Sequence, residues 1–583
     1  MHGPSSLLLA DLGSRTCTVQ RLPDETLRLF PGGRGLAGHL LRPFIHLPWD
    51  HPDMPVFFLA GPLAGTGAPC ASRCHLASRS PLTGILGDDA LPGGLGRELA
   101  RAGFLGLMLT GRSAEPLGLE IRDAEVRLVD AAALKNQTTD KVFDALTDFH
   151  SAACVGPAAW HEARIAGVQV DRRFSAGRCG LGLSLAAKGL AYVAVSGSTD
   201  VPVHDPLGLG AARADIERLI HASPVLRGPL GFGRFGTAAL LDLTRSRSML
   251  PTDNFQRTSL PGMEHCNAPA LARHFAFQPV SCPGCPVGCA LVDTLGRTQP
   301  DVEALSHLTA LLGLADPELA VAAGDLCAKL GLDPVSAAGA LAAWAEITDQ
   351  KLTTWTVLDL LEDAALGHGD GALLAQGARE LARELERPGA AMAVKGLELS
   401  AFDPRGAMGL ALGYAVGTRG ACPWRAMSLS HELLRKPVPT DRFSWSGKAR
   451  MVKLAEDMLA AGESLPVCRL AFLAAGLEEY AKAFAAVTGV PATAQDLALL
   501  GERALYQERL MNADLGVTAG DDDLPLRFFT EAGDPGQGFA TPALDRAAFL
   551  EARARYYRVR GLDENGLPLR DKTEELGLAW TVR

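Results

Sequence analysis

Three cysteines lie close together in residues 281–289, which read SCPGCPVGC. Cys282, Cys285 and Cys289 form a Cys-x2-Cys-x3-Cys pattern, and the prolines and glycines around them favour a tight loop. Thiolates bind iron–sulfur clusters and zinc, and both kinds of centre take four such ligands. The loop therefore predicts a metal centre whose fourth ligand comes from a distant part of the chain.

The spacing of these thiols leaves three interpretations open. A [4Fe–4S] cluster is favoured, zinc is the second interpretation, and three reduced cysteines without a metal are the third. The chain has 12 cysteines in all, and most of them are scattered. This scatter is typical of a reducing compartment, where thiols serve as ligands or core side chains and not as disulfides.

Length and composition indicate a large globular protein. With 583 residues and 47% hydrophobic content, the chain can build about three domains with large cores. The net charge is −10, and the sequence has no basic run or nucleic-acid motif, which argues against a nucleic-acid partner. The N-terminus lacks a cationic leader, and no apolar run reaches the ~18 residues of a membrane helix. We expect a cytoplasmic protein that does not insert into a membrane.

Hydrophobic patterning predicts an α+β protein. Residues 1–203 are β-rich, residues 204–392 form a mainly helical domain that carries the cysteine loop, and residues 393–583 form a second helical domain. Strands are predicted at 56–59, 105–109, 121–128, 165–170 and 192–195. Helices are predicted at 303–314, 316–331, 334–349, 371–386, 448–461, 471–487 and 494–513.

Residues 231–236 read GFGRFG and have the spacing of a dinucleotide-binding turn. That turn needs a strand before it, but Pro224 and Pro229 interrupt the preceding segment. The pattern is therefore interpreted as the turn at which a helix begins.

Short motifs spread over nearly the whole chain carry a family resemblance. They are GRGL from residue 33, AGPL from 60, SPLTG from 80, AGR from 176, NFQ from 254, the cysteine loop, LGLD from 330, FDPRG from 402 and RYYRVRG from 555. In this order, they resemble the aldehyde:ferredoxin oxidoreductase family, whose members are tungsten enzymes with a bis-pterin cofactor and one [4Fe–4S] cluster. The resemblance implies a β-rich pterin-binding domain followed by two helical domains.

The resemblance also implies a set of cofactor contacts. Glycines allow the backbone to approach phosphate oxygens, and arginines bind phosphate through two parallel hydrogen bonds. Tungsten is expected in the bis-pterin, with molybdenum as the alternative, and Mg²⁺ is a further expectation between the pterin phosphates. Arg73 matches the arginine that the family places between cluster and pterin. The expected cofactor-binding residues are Arg73, Gly93, Gly94, Ala176, Arg178, Asp333, Arg405 and Arg425.

For the cluster, the resemblance implies that Cys468 is the fourth ligand. Cys179, Cys327 and Cys422 are the competing candidates, and each is interpreted as a packed core thiol. Two contacts of the second pterin are altered, because Glu463 and Pro466 stand where the family has aspartate and glycine. Ala322 and Asp325 replace a Glu-x-x-His pair, so no metal is expected at a dimer interface.

The resemblance places Glu303 beside the metal as the proton acceptor. A helix-terminal glutamate that favours the macrodipole is the alternative interpretation, because Pro300 and Asp301 look like a helix start. Pro423 replaces a histidine that aldehyde-oxidising members carry. His307, one helical turn beyond Glu303, is the nearest candidate for its role.

The leading functional hypothesis is the oxidation of an aldehyde to a carboxylic acid, or the reverse reaction. Electrons would pass through the cluster to ferredoxin or to an iron–sulfur partner subunit, and a homodimer is left open. One alternative is a cofactor-poor paralogue that acts as a structural or electron-relay subunit. Others are a member acting on a different substrate, such as an aromatic acyl-CoA, and a zinc-stabilised protein of unrelated function.

Overall fold

The computed structural model describes residues 3–176, 178–533 and 539–579. Gly177 of the AGR motif lies outside them. The first part of the chain builds two mixed sheets, and in each of them a single strand pair is parallel. The first sheet has the order β2-β1-β6-β3-β4-β5. Its strands are β1 (Ser6–Asp11), β2 (Thr16–Arg21), β3 (Val56–Leu59), β4 (Cys74–Arg79), β5 (Leu86–Leu91) and β6 (Gly106–Thr110).

The second sheet has the order β11-β10-β9-β12-β7-β8. Its strands are β7 (Leu117–Arg122), β8 (Glu125–Asp130), β9 (Ser151–Cys154), β10 (Val168–Val170), β11 (Phe174–Ala176) and β12 (Leu190–Ser196). Strands β3, β5 and β9 are buried along their whole length. Burial of every residue in a strand is typical of strands covered on both faces.

Helices accompany the sheets and dominate after residue 203. Those of the β-rich part are α1 (Asp24–Leu29), α2 (Gly33–Leu41), α3 (Leu95–Arg101), α4 (Thr139–Asp144), α5 (Pro157–Trp160) and α6 (Leu181–Ala187). Next come α7 (Pro206–Ala222), α8 (Pro224–Arg227), α9 (Phe232–Phe235), α10 (Leu241–Ser246), α11 (Ala268–Phe275), α12 (Val302–Leu308), α13 (Pro317–Leu330), α14 (Pro334–Thr348), α15 (Thr354–Leu366), α16 (Gly371–Leu374) and α17 (Ala378–Glu384). The last are α18 (Met408–Val416), α19 (Leu429–Glu432), α20 (Lys448–Ser464), α21 (Leu477–Thr488), α22 (Ala494–Asp514), α23 (Arg527–Thr530), α24 (Arg546–Arg560) and α25 (Arg570–Glu575).

The cysteine loop is the tip of a small hairpin. Strands β13 (Gln278–Val280) and β14 (Ala290–Val292) pair antiparallel, with Val280 opposite Ala290. Gly284 and Gly288 have φ of +69° and +68°, the left-handed region that glycine enters without strain. The hairpin therefore closes residues 281–289 into one compact loop.

The C-terminal motif fastens α24 to α20. Arg560 pairs with Glu456 at 2.7 Å and with Asp457, and Tyr556 donates to the same Glu456 carboxylate at 2.7 Å. All of these side chains are buried. Breaking such a pair leaves an uncompensated buried charge, which costs about 3–5 kcal/mol. Because Cys468 follows shortly after the end of α20, this network also helps to hold in place the segment that carries the predicted fourth ligand.

The structure confirms the predicted fold class and shortens several predicted elements. The helix predicted at 371–386 is divided into α16 and α17, because Gly377 has a φ of +85° and a Cβ there would lie 2.6 Å from Leu82 Cδ1. Residues 231–236 begin the short helix α9, and helix α8, not a strand, precedes them. The boundaries between the three domains remain a prediction. Within the described ranges, no helix is long and apolar enough to cross a membrane.

Candidate metal and cofactor centre

The four cysteines of the predicted cluster lie in one place. Arg73 Nη2 donates to Cys468 Sγ at 3.2 Å, and the backbone N–H of Gly93 donates to Cys282 Sγ at 3.4 Å. Burial raises the pKa of the Cys289 thiol, and the neighbouring thiols of Cys468, Cys285 and Cys282 raise it further. Cys468, far from the loop in sequence, thus shares its surroundings.

Residues 68–73 hold the two parts of this thiol site together. The backbone N–H of Cys70 donates to Gly284 O at 3.1 Å, and the backbone N–H of Cys468 donates to Cys70 O at 2.9 Å. One short segment of the β-rich part is therefore hydrogen-bonded both to the cysteine loop and to the segment after α20. This pairing fixes Cys468 against the loop.

Arg73 brings a positive charge to the thiols. Burial lowers the pKa of its guanidinium, whereas the thiols of Cys468, Cys282 and Cys289 raise it. The pKa is raised overall, so the side chain stays charged. Nη1 donates to Ala90 O at 2.7 Å, whereas the buried Nε has no hydrogen-bond partner. Four thiols around a fixed cation suit a [4Fe–4S] cluster, in which each iron takes one thiolate. Across the described residues, no three His, Cys, Asp or Glu side chains are placed to hold a single metal ion.

A cavity of about 250 Å³ extends from the thiols to the predicted proton acceptor. Its wall includes Arg73, Ala176, Cys282, Cys289, Glu303 and Trp424. Ala176 ends β11 and Glu303 lies in the first turn of α12, so the cavity is bounded by the β-rich part and the helical part together. A ligand bound there would touch both the thiol site and Glu303.

Arg178 and Asp333 lie next to each other, as the prediction of a shared centre requires. Arg178 Nε is 3.7 Å from Asp333 Oδ2, and Nη2 donates to Glu398 O at 2.6 Å. Asp333 caps helix α14 by accepting from Val335 N and Ser336 N, both at 3.2 Å. Arg178 Nε is buried and faces this carboxylate without a hydrogen bond, and neither side chain is on the cavity wall.

Gly93 and Gly94 bring the backbone against the thiol site. Gly93 has a φ of +96°, and a Cβ there would lie 2.5 Å from Asp171 Oδ2. Gly94 N donates to the same carboxylate at 2.7 Å. Only glycine fits at position 93, and its N–H is directed at Cys282 and not into open space.

Like Arg178, two further predicted arginines lie away from the cavity wall and already have protein partners. Arg425 pairs with Asp88 and lies 3.6 Å from Glu463 Oε2. Arg405 is fully buried, and its guanidinium donates to Asp403, to Glu531 O at 3.1 Å and to the backbone carbonyl of Phe255 at 2.6 Å.

Glu303 is held by hydrogen bonds to both carboxylate oxygens. Ser400 Oγ donates to Oε1 and Trp424 Nε1 donates to Oε2. His307 is placed differently from Glu303, because it is 0% exposed, is not on the cavity wall and has Nε2 2.8 Å from Leu399 O. Burial lowers the pKa of His307 to about 4, so its ring is neutral.

Sequence reasoning missed several side chains of this site. Asp301 lines the cavity and accepts from Ala304 N at 2.9 Å; burial and the neighbouring Glu303 raise its pKa to about 6. Its position as a helix N-cap was visible in the sequence, but its exposure to a cavity was not. Ser400 and Trp424 carry no local signal, because they lie 97 and 121 residues from Glu303.

Known proteins match this chain over almost its whole length. Two family models match, "Aldehyde ferredoxin oxidoreductase, N-terminal domain" at residues 7–197 and "Aldehyde ferredoxin oxidoreductase, domains 2 & 3" at residues 211–578. The tungsten-containing aldehyde ferredoxin oxidoreductase of Pyrococcus furiosus is 31% identical over 599 residues, which cover 98% of each chain. The protein of the same description from Thermococcus kodakarensis is 31% identical over 603 residues, again covering 98% of each chain.

More distant proteins share the architecture. The WOR-like subunit of an aliphatic sulfonate oxidoreductase from Pyrococcus furiosus is 24% identical over 635 residues, covering 99% of this chain and 97% of that protein. A solved structure of the active site complex BamBC of benzoyl coenzyme A reductase, in complex with 1,5-dienoyl-CoA, superposes with a TM-score of 0.85. Its sequence identity is 18%, with 99% of this chain and 97% of that chain covered, so this likeness concerns the fold alone.

Proposed function

The chain belongs to the aldehyde ferredoxin oxidoreductase family, and on that basis we propose that it is a tungsten-pterin oxidoreductase that oxidises an aldehyde to a carboxylic acid. Its 31% identical relatives are described as tungsten-containing enzymes of this activity. The observation that carries the proposal is the single cavity that joins the four-thiol site and Arg73 to Glu303. Such continuity is what an enzyme needs when it oxidises a substrate at one end and exports electrons at the other.

The residues present fit both parts of the cofactor set. Cys282, Cys285, Cys289 and Cys468 would hold a [4Fe–4S] cluster. Arg178, Asp333 and Ala176 would contact the pterins, and Arg73 Nε, which has no hydrogen-bond partner and belongs to a cavity-lining side chain, offers a donor for their polar groups. When bound, the tungsten bis-pterin supplies a centre that takes up two electrons from the substrate. Mg²⁺ between the pterin phosphates belongs to the same proposal.

The remaining chemistry falls to side chains of this chain. Oxidising an aldehyde with water releases two protons and two electrons, so a base must accept a proton at the substrate. Glu303 is the proposed base, with Ser400 and Trp424 holding its carboxylate in a fixed orientation. Arg73 links the cavity to the Cys468 thiol and would stabilise negative charge on the reduced cluster.

The proposal also covers the electron acceptor, the oligomeric state and the location of the protein. The cluster would reduce ferredoxin, or an iron–sulfur partner subunit, by one electron at a time, and a homodimer remains compatible with it. All twelve cysteines are free thiols, which agrees with a cytoplasmic location. The alternative of a cofactor-poor relay subunit is kept, because Pro423 stands where aldehyde-oxidising members carry histidine.

The first test is aldehyde-dependent reduction of ferredoxin by protein that is purified without oxygen. We expect two ferredoxins to be reduced for each aldehyde consumed, with the carboxylic acid as the product. Ferredoxin without aldehyde is the matched control. If the protein carries tungsten and iron but reduces no acceptor with any of a panel of aliphatic and aromatic aldehydes, the proposed reaction is contradicted.

A further inference from the structure

A fifth thiol adjoins the four proposed ligands. Cys70 Sγ lies 3.7 Å from Cys285 Sγ, although the two residues are 215 positions apart. Cys70 is 3% exposed, and its backbone has a φ of +60°. A left-handed backbone is uncommon and unfavourable for a residue with a side chain. The surrounding hydrogen bonds therefore hold Cys70 in a position that it would not adopt by itself.

Two backbone hydrogen bonds place Cys70 beside the segments that carry the proposed ligands. Cys70 N donates to Gly284 O at 3.1 Å, within the cysteine loop, and Cys70 O accepts from Cys468 N at 2.9 Å. Both neighbours belong to the segments that carry the proposed ligands. The Cys70 backbone is consequently fixed relative to the cluster site, and its buried side chain lies against Cys285.

Ligation by iron decides which thiol is the donor. A cysteine bound to iron is a thiolate, so Cys285 can only accept a hydrogen bond. Cys70 has no role among the four ligands and retains its proton, which leaves its S–H as the donor. Hydrogen bonds to cluster sulfurs stabilise the reduced, more negative cluster and so raise its reduction potential.

Building on the proposed function, we propose that Cys70 is a positioning residue that donates an S–H···S hydrogen bond to Cys285 and raises the reduction potential of the cluster. Arg73 acts at a different thiol, that of Cys468. The cluster would then receive one charged donor and one neutral thiol donor at two different ligands. Its potential would depend on a residue that binds no iron.

The test is an EPR-monitored redox titration of the iron-loaded protein. Cys70→Ala removes the donor, and we expect a more negative midpoint potential with unchanged iron content. Cys70→Ser restores a hydroxyl donor and should return the potential most of the way to the wild-type value. Cys74→Ala is the matched control, because Cys74 is also buried, lies four residues along the same segment and makes no contact with the cluster thiols in the structure.

Three results would overturn the inference. If Cys70→Ala has the same midpoint potential as the wild type, the proposed hydrogen bond does not influence the cluster. If Cys74→Ala shifts the potential as much as Cys70→Ala does, the shift comes from altered packing and not from the lost donor. Loss of iron from Cys70→Ala would indicate that Cys70 is a cluster ligand and not a hydrogen-bond donor to one. A wild-type protein that binds no iron–sulfur cluster would instead contradict the proposed function, and the inference with it.

Discussion

Glu303→Gln is expected to lower kcat by about 10²-fold or more, with KM and the metal content near their wild-type values. Glutamine has the shape of glutamate but cannot accept the proton. It also fits locally, because the Ser400 hydroxyl can rotate to accept from the new amide group while Trp424 still donates to the amide oxygen. The measurement is steady-state oxidation of an aldehyde by metal-loaded protein.

Two further variants separate Glu303 from its surroundings. Asp301→Asn changes a second carboxylate of the cavity wall, two residues from Glu303, and preserves the helix cap, because asparagine caps helices as well as aspartate does. It should retain most of the activity. Trp424→Phe keeps an aromatic ring but removes the donor to Glu303, and we expect a kcat about 10-fold lower. Near-normal turnover by Glu303→Gln together with an inactive Asp301→Asn would indicate that the base is Asp301 and not Glu303.

Cys468→Ala is expected to abolish the [4Fe–4S] cluster signal of the reduced protein and to lower iron well below about four per chain. Without this thiolate, one iron loses its protein ligand. Arg73 would also lose its sulfur acceptor, and the segment after α20 would lose the link to the cysteine loop that the proposed cluster provides. Because ligand binding and folding are coupled, thermal stability should fall as well. The measurements are iron analysis, EPR of the dithionite-reduced protein and the midpoint of thermal unfolding.

Cys422→Ala is the matched control for that variant. Cys422 also lies in the last third of the chain and is buried, but its Sγ accepts from Arg419 Nη2 at 3.1 Å and not from a residue of the thiol site. We expect it to keep its iron. If Cys468→Ala keeps a full cluster while Cys422→Ala loses it, the fourth ligand has been assigned to the wrong cysteine.

Local patterns predicted the parts of this protein that local forces determine. Residues 281–289 form a loop because their glycines adopt left-handed backbone conformations and a short hairpin closes the loop. The aspartates before Pro317 and Pro334 cap α13 and α14, as the start of a helix requires. The sequence therefore indicated both the cysteine loop and the helices of the later part of the chain.

Long-range contacts were beyond local reasoning. Cys468 was identified by resemblance alone, since nothing near it in sequence indicates a ligand. Cys70 was overlooked because its thiol meets Cys285 across 215 residues. Arg405 shows the opposite case: its nearest acceptor, Asp403, lies only two residues away in the same motif and engages its guanidinium.

The central claim is most directly tested by metal analysis of the wild-type protein after purification without oxygen from cells supplied with tungstate. The account predicts about one tungsten and about four irons per chain, together with a pterin released on denaturation. Molybdenum in place of tungsten would change the identity of the metal and leave the rest of the account as it stands. Zinc alone, or iron without tungsten, molybdenum or pterin, would contradict the account and favour a structural or electron-relay role.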